Sequence, residues 1–203
     1  MEWKLIDVRQ ETNHPFLNYF VLVYDVIKDE KHKTYEYYMT SRKSKEELVP
    51  VLKIASKPDG VIIPLYYIDP KTNELYFLLT TQFRPAVGLN ITSVPAGLFE
   101  KDDIDIKEVA IREAKEEAGA IITDIEVIAD IGTTSSGFSD ETNGIVLARI
   151  KEFENKNLEE FEDIKTNLYS VKQVKEMLND SNYFFALEVR TLLMYLLIRF
   201  NKN

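Results

Sequence analysis

The chain has 203 residues, 45% hydrophobic and 29% charged, with 11 Phe and 11 Tyr but only seven Gly and seven Pro, a balance that excludes collagen-like, low-complexity and disordered chains. That length suits one main domain, with or without a small appendage, rather than two full domains. A formal net charge of −9 argues against sequence-blind binding to nucleic acid, which depends on Lys and Arg neutralising phosphates; small phosphorylated ligands stay compatible, because bound divalent cations reverse the local sign of charge.

The N-terminus, Met1-Glu2-Trp3-Lys4-Leu5, lacks the basic start and apolar stretch of a signal peptide, and the absence of Cys removes disulfides and thiolate metal sites together. The longest C-terminal apolar run, 192–198, falls far short of the roughly 20 residues of a membrane-spanning helix. The expectation is a cytoplasmic protein with no membrane partner. Two aromatic-rich runs, 19–27 and 34–39, flank Lys28-Asp29-Glu30-Lys31 and read as a β-hairpin. Isolated hairpins are marginal in water and open edges are usually covered, so residues 1–55 are expected to form a β extension that joins two copies of the chain.

The turn cluster Ser56-Lys57-Pro58-Asp59-Gly60 marks the start of the main domain, 56–203. Residues 61–68 and 74–80, around Asp69-Pro70-Lys71-Thr72-Asn73, read as a second hairpin. Residues 104–118 read as a helix, with apolar residues at Ile106, Val109, Ala110 and Ala114, Asp105 and Glu108 as a capping-box pair, and Gly119 at the C-terminal cap. Further strands are expected at 121–131 and 144–150, and helices at 170–178 and 184–200. Strands alternating irregularly with a few helices predict an α+β domain rather than a doubly wound sheet.

Chemistry concentrates on Arg112-Glu113-Ala114-Lys115-Glu116-Glu117-Ala118-Gly119. On a helix Glu113, Glu116 and Glu117 point to one neighbourhood within a turn, where like charges repel. A cation against them relieves that repulsion, and oxygen-only ligation selects a hard divalent ion, Mg²⁺ or Mn²⁺, over zinc. For a bare Glu-x-x-Glu-Glu, a solvated acidic face held partly by Arg112 is the better reading. His14 and His32 lie elsewhere and read as surface residues.

Spacing to Gly97 turns the balance, because the segment resembles the signature box of the Nudix hydrolases: Gly, five residues, Glu, seven residues, Arg-Glu-aliphatic-x-Glu-Glu-x-Gly-aliphatic. Gly97, Arg112, Glu113, Glu116, Glu117 and Gly119 match it. The interval from Gly97 to Arg112 is one residue longer, Asp103 stands nearest to the first Glu, and Ala114 and Ala120 occupy the aliphatic positions. Gln82-Phe83-Arg84 and Val94-Pro95-Ala96-Gly97 resemble segments that precede the box in the ADP-ribose pyrophosphatase branch, and Ser135-Ser136-Gly137-Phe138-Ser139-Asp140-Glu141 resembles a loop that follows it. Ser136 replaces a proline associated with ADP-ribose specificity, and Ser93 replaces a common Glu.

The resemblance implies a Nudix fold, α+β with a mixed sheet packed between helices, an N-terminal antiparallel β extension and a C-terminal helix, assembled as a homodimer. It implies that Glu113, Glu116 and Glu117, with the Ala96 carbonyl, hold Mg²⁺ against a pyrophosphate. Glu141 is the expected general base with Glu116 as the alternative, Arg112 orients a box glutamate, and Arg84 binds phosphate. The expected reaction is hydrolysis of ADP-ribose to AMP and ribose 5-phosphate. The alternatives are another nucleotide sugar or dinucleotide, and a non-hydrolytic nucleotide sensor.

Overall fold

The computed structural model describes residues 1–55, 57–158 and 163–201, so Ser56 of the expected domain start and residues 159–162 and 202–203 of the expected main domain lie outside the described residues. In chain order the elements are β1 (Glu2–Gln10), β2 (Asn18–Lys28), β3 (Lys31–Ser41), a 3₁₀ turn at Lys45–Glu47, α1 (Val49–Leu52), β4 (Gly60–Ile62), β5 (Leu65–Ile68), β6 (Leu75–Arg84), β7 (Leu89–Ser93) and β8 (Ala96–Leu98). They continue with α2 (Ile106–Ala118), β9 (Ala120–Thr133), β10 (Thr142–Phe153), β11 (Lys165–Ser170), α3 (Val171–Asn179) and α4 (Leu187–Phe200). Two compact units result, Met1–Asp59 with Ile131–Asn143, and Gly60–Asp130 with Gly144–Asn203.

In the first unit β1, β2 and β3 form an antiparallel sheet with β2 in the middle. The expected hairpin is β2–β3, and its two turn residues, Asp29 and Glu30, both take positive φ, as a tight hairpin turn that follows strand twist requires. Its other edge, expected to need a partner, is covered from within the chain by β1. That strand escapes the sequence pattern because a register shift between Leu5 and Asp7 interrupts its alternation and most of its residues are exposed. Val8, Phe20, Leu22, Met39 and Leu48 form the core beneath it.

The second unit is built on a mixed sheet that runs β11-β6-β5-β10-β4-β8 among the described residues, with β7 added beside β6 and β9 beside β10; β5 and β10 are parallel. Successive residues of a strand point to opposite faces, and the core divides accordingly. Val61, Ile63, Leu78, Val146 and Ala148 pack with Val109, Ala110, Ala114 and Ala118 of α2. Ile62, Phe77, Leu79 and Leu147 pack with Val174 and Met177 of α3 and with Val189, Leu193 and Leu196 of α4. The sheet is thus sandwiched between helices. It buries both faces, which explains its continuous rather than alternating apolar runs.

Residues 61–68, read as one strand, are two. Pro64 has no N–H to offer a ladder, so pairing stops there and resumes at Leu65. Ile63 spans the break, its N–H donating to the Pro95 carbonyl (2.8 Å). Strands β7, β8 and β11 were not expected from the sequence; each is short or edge-like and pairs with a longer neighbour. α3 starts one residue later than expected, because Ser170 is its N-cap and receives the Gln173 N–H (3.3 Å).

Candidate active site

Helix α2 carries the acidic motif, and its ends are set by local chemistry. Asp105 caps the N-terminus by accepting the N–H groups of Lys107 (2.8 Å) and Glu108 (3.0 Å), an arrangement worth about 1 kcal/mol. The expected reciprocal bond from Glu108 goes one residue further back, to the Ile104 N–H (2.9 Å), so the pair is not a capping box in the strict sense. At the other end Gly119 takes φ +61°, the left-handed cap, and its N–H returns to the Lys115 carbonyl (2.9 Å). With Ala110, Ala114 and Ala118 facing the sheet, the rotation of α2 is fixed. The flank of that buried face then presents the half-buried Arg112, Glu113 and Glu116, while Glu117 is buried at 7% exposure.

These side chains line one cleft of about 470 Å³, walled by Gln82, Arg84, Gly97, Glu100, Arg112 and Asn157 around the three glutamates, with Ala96 also on its wall. The structure therefore brings together Arg84, Ala96, Arg112, Glu113, Glu116 and Glu117 in the second unit. The remaining expected site residue, Glu141, belongs to the first unit.

Arg112 is the local hub. Its guanidinium contacts Asp103 (2.9 Å), Glu113 (2.7 Å), Glu116 (3.2 Å) and Glu100 (3.3 Å), and donates to the Leu98 carbonyl (3.0 Å). Burial lowers its proton affinity, but the hydrogen bonds and charges of Asp103 and Glu113 outweigh burial and hold its pKa above the ordinary arginine value. The cation that relieves repulsion between Glu113 and Glu116 is, as folded here, this arginine. Asp103 takes the partner position that the one-residue-longer loop left uncertain in sequence, because that loop brings it back beside Arg112.

Glu117 accepts the Ala96 N–H (3.1 Å), which ties the helix to the Pro95-Ala96-Gly97 segment. At Gly97 a side chain has no room: a Cβ would fall 1.7 Å from Glu113 Oε1 and 1.9 Å from its Cδ. The missing Cβ is thus the space that Glu113 fills. After β10 the chain returns to the end of α2, where the Glu154 N–H donates to the Gly119 carbonyl (2.7 Å) and the Asn157 N–H to the Glu116 carbonyl (3.1 Å). Next to that return, burial lowers the pKa of Lys156, and the charge of Glu117 opposes the shift.

Among the described residues no three His, Cys, Asp or Glu side chains converge so as to hold a metal ion, since Glu113 turns to Arg112 and Glu117 to the Ala96 amide. The donor set nevertheless fits a hard divalent cation. It consists of the carboxylates of Glu113, Glu116 and Glu117, with Ala96 beside them in the cleft lining and no His or Cys among the lining residues.

In the first unit, the loop between β9 and β10 carries Glu141. Its carboxylate contacts Arg42 (2.5 Å) and accepts the Thr134 hydroxyl (3.0 Å), while its N–H donates to the Ser139 hydroxyl (3.0 Å). The loop is fastened to β3: the Thr40 N–H donates to the Phe138 carbonyl (2.8 Å) and the Tyr37 hydroxyl to the Gly137 carbonyl (2.7 Å).

Gln82 and Asn157 were missed as cleft residues in the sequence. Gln82 was legible, since it stands two residues before Arg84 on one strand and so shares its face. Asn157 carried no signal; only the return of the chain to α2 brings it there.

No curated protein matches the chain. Among solved structures, the crystal structure of an ADP compounds hydrolase aligns over 98% of this chain and 93% of its own with a TM-score of 0.70, at 14% sequence identity, a likeness of fold. No helix among the described residues is long and apolar enough to cross a membrane. Residues 57–187, most of the chain and all of the cleft, match the NUDIX domain. The chain belongs to the NUDIX domain family, that of the Nudix pyrophosphohydrolases.

Proposed function

We propose that the protein hydrolyses the pyrophosphate bond of a nucleoside diphosphate linked to a second group, with ADP-ribose, cleaved to AMP and ribose 5-phosphate, as the leading substrate. The observation that carries this is that Glu113, Glu116, Glu117, Arg84 and Ala96 all line one cleft. Glu113, Glu116, Glu117 and the Ala96 carbonyl would hold the divalent cation, Mg²⁺ in this reading with Mn²⁺ as a substitute. Such an ion neutralises phosphate charge and acidifies a bound water. Arg84, a fixed fork of donors, binds a phosphate oxygen. Arg112 holds Glu113 and Glu116 in register on the cleft wall. Glu141 takes the proton of the attacking water, with Glu116 as the alternative base. The enzyme works in the cytoplasm as a homodimer joined through residues 1–55, where Trp3, Tyr35 and Tyr38 are exposed on the sheet.

Ser136 and Ser93 favour a second substrate reading, another nucleotide sugar or a dinucleotide. A panel of ADP-ribose, ADP-glucose, NADH, diadenosine polyphosphates and nucleoside triphosphates, incubated with Mg²⁺ and resolved by chromatography, tests both. Metal-dependent AMP release from ADP-ribose is the expected result. Preferential cleavage of another member replaces the substrate, and binding of ADP-ribose with no cleavage of any member would overturn the hydrolase reading in favour of a sensor.

Gly97 supplies a further check. Gly97→Ala forces Glu113 off the cleft wall, so turnover should fall on the order of 100-fold, the scale of misplacing one active-site group. The melting temperature should change little, because Glu113 can swing toward solvent. Unchanged turnover would show that the position of Glu113 does not matter.

A further inference from the structure

We infer that Arg42, at the end of the N-terminal sheet, is a positioning residue for Glu141, so that the β extension serves the reaction as well as assembly. The inference rests on the assignment of Glu141 as the base. Three groups from separate parts of the first unit fix the Glu141 side chain and backbone: the Arg42 guanidinium on one carboxylate oxygen (2.5 Å), the Thr134 hydroxyl on the other (3.0 Å), and the Ser139 hydroxyl on the N–H (3.0 Å). Arg42 follows directly on β3, the strand to which the loop is already fastened through Tyr37 and Thr40. A second backbone bond, from the Thr134 N–H to the Glu141 carbonyl (3.1 Å), closes the loop at its base. The carboxylate is therefore gripped on both oxygens, by one residue 99 positions away in sequence and by another 7 positions away.

Folding does not account for this arrangement. Side-chain exposures of 52% for Arg42 and 33% for Glu141 place the pair in solvent, where an ion pair contributes little to stability. What such a contact can do is restrict rotamers. A free glutamate samples several χ combinations, whereas one held on both oxygens presents a lone pair in one direction, which a proton acceptor needs.

The test is a double-mutant cycle of Arg42→Ala and Glu141→Gln in the full-length protein. It is assayed with Mg²⁺ and ADP-ribose, or with the panel member cleaved fastest. Arg42→Ala should lower kcat by about tenfold or more with KM nearly unchanged and the thermal midpoint near wild type. In the Glu141→Gln background the same change should have no further effect, because its target is already gone. Arg42→Lys should restore part of kcat. A rise in KM with kcat unchanged would overturn the inference by making Arg42 a substrate contact. Independent, multiplying losses, or a fully active Arg42→Ala beside an inactive Glu141→Gln, would overturn it while leaving the base assignment standing. A fully active Glu141→Gln would overturn the base assignment and the inference with it.

Discussion

Glu117→Gln should reduce turnover by roughly 10²–10³-fold, the scale seen when one charge-stabilising group is removed from an active site, while leaving the fold intact. The substitution is nearly isosteric, and the Gln carbonyl oxygen can still accept the Ala96 N–H now received by Glu117 (3.1 Å). Packing of α2 on the sheet through Val109, Ala110, Ala114 and Ala118 is untouched. What disappears is one full negative charge at 7% exposure on the cleft, where electrostatic interactions are least screened by water. Turnover measured by AMP release, thermal unfolding and Mn²⁺ binding by titration calorimetry separate the outcomes. Lost turnover and weakened Mn²⁺ binding with an unchanged midpoint are expected. An equally active variant would remove Glu117 from the metal set.

Gly119→Ala should be the most damaging small substitution for stability, at roughly 2–5 kcal/mol, a sum of backbone strain and overpacking. Two costs coincide at this position. The residue stands at φ +61°, where L side chains are strained, and a Cβ there would fall 2.3 Å from the Glu154 carbonyl oxygen. That obstacle is backbone, so it cannot rotate aside as a side-chain tip would. Relief requires moving the chain return whose N–H groups bond Gly119 and Glu116. For a chain of this length the expected fall in melting temperature is on the order of 10 °C. Gly137→Ala is the control: nothing lies within 4 Å of its added Cβ, and the midpoint should stay near wild type. Equal midpoints for the two variants would mean that the return after β10 yields easily, and that Asn157 is not rigidly held at the cleft.

The contrast between these two predictions runs through the molecule. Helix α2, expected at 104–118 and found at Ile106–Ala118, was legible to within two residues because every determinant is local: apolar spacing of three and four, a capping aspartate, and a glycine where the left-handed conformation ends the helix. The same locality put three carboxylates within one turn. Strand β1 was not legible, since a bulge breaks its alternation and its partner β2 alone supplies most of its reason to be a strand. The break at Pro64 could have been read from the missing N–H, but the apolar run around it belongs to a sheet buried on both faces, where periodicity is silent.

The sequence by itself determined the acidic helix, its caps, the mixed α+β class and the family resemblance, all of which depend on spacings within about 20 residues or on short ordered motifs. Only the tertiary structure decided which groups meet. It placed Asp103 and Glu100 on Arg112, set Gln82 and Asn157 on the cleft wall, put Glu113 in the space that Gly97 leaves empty, and joined Arg42 to Glu141. Those pairings are made by strand register and by the return of the chain after β10, and pairing energies between distant residues leave no periodic trace in either partner.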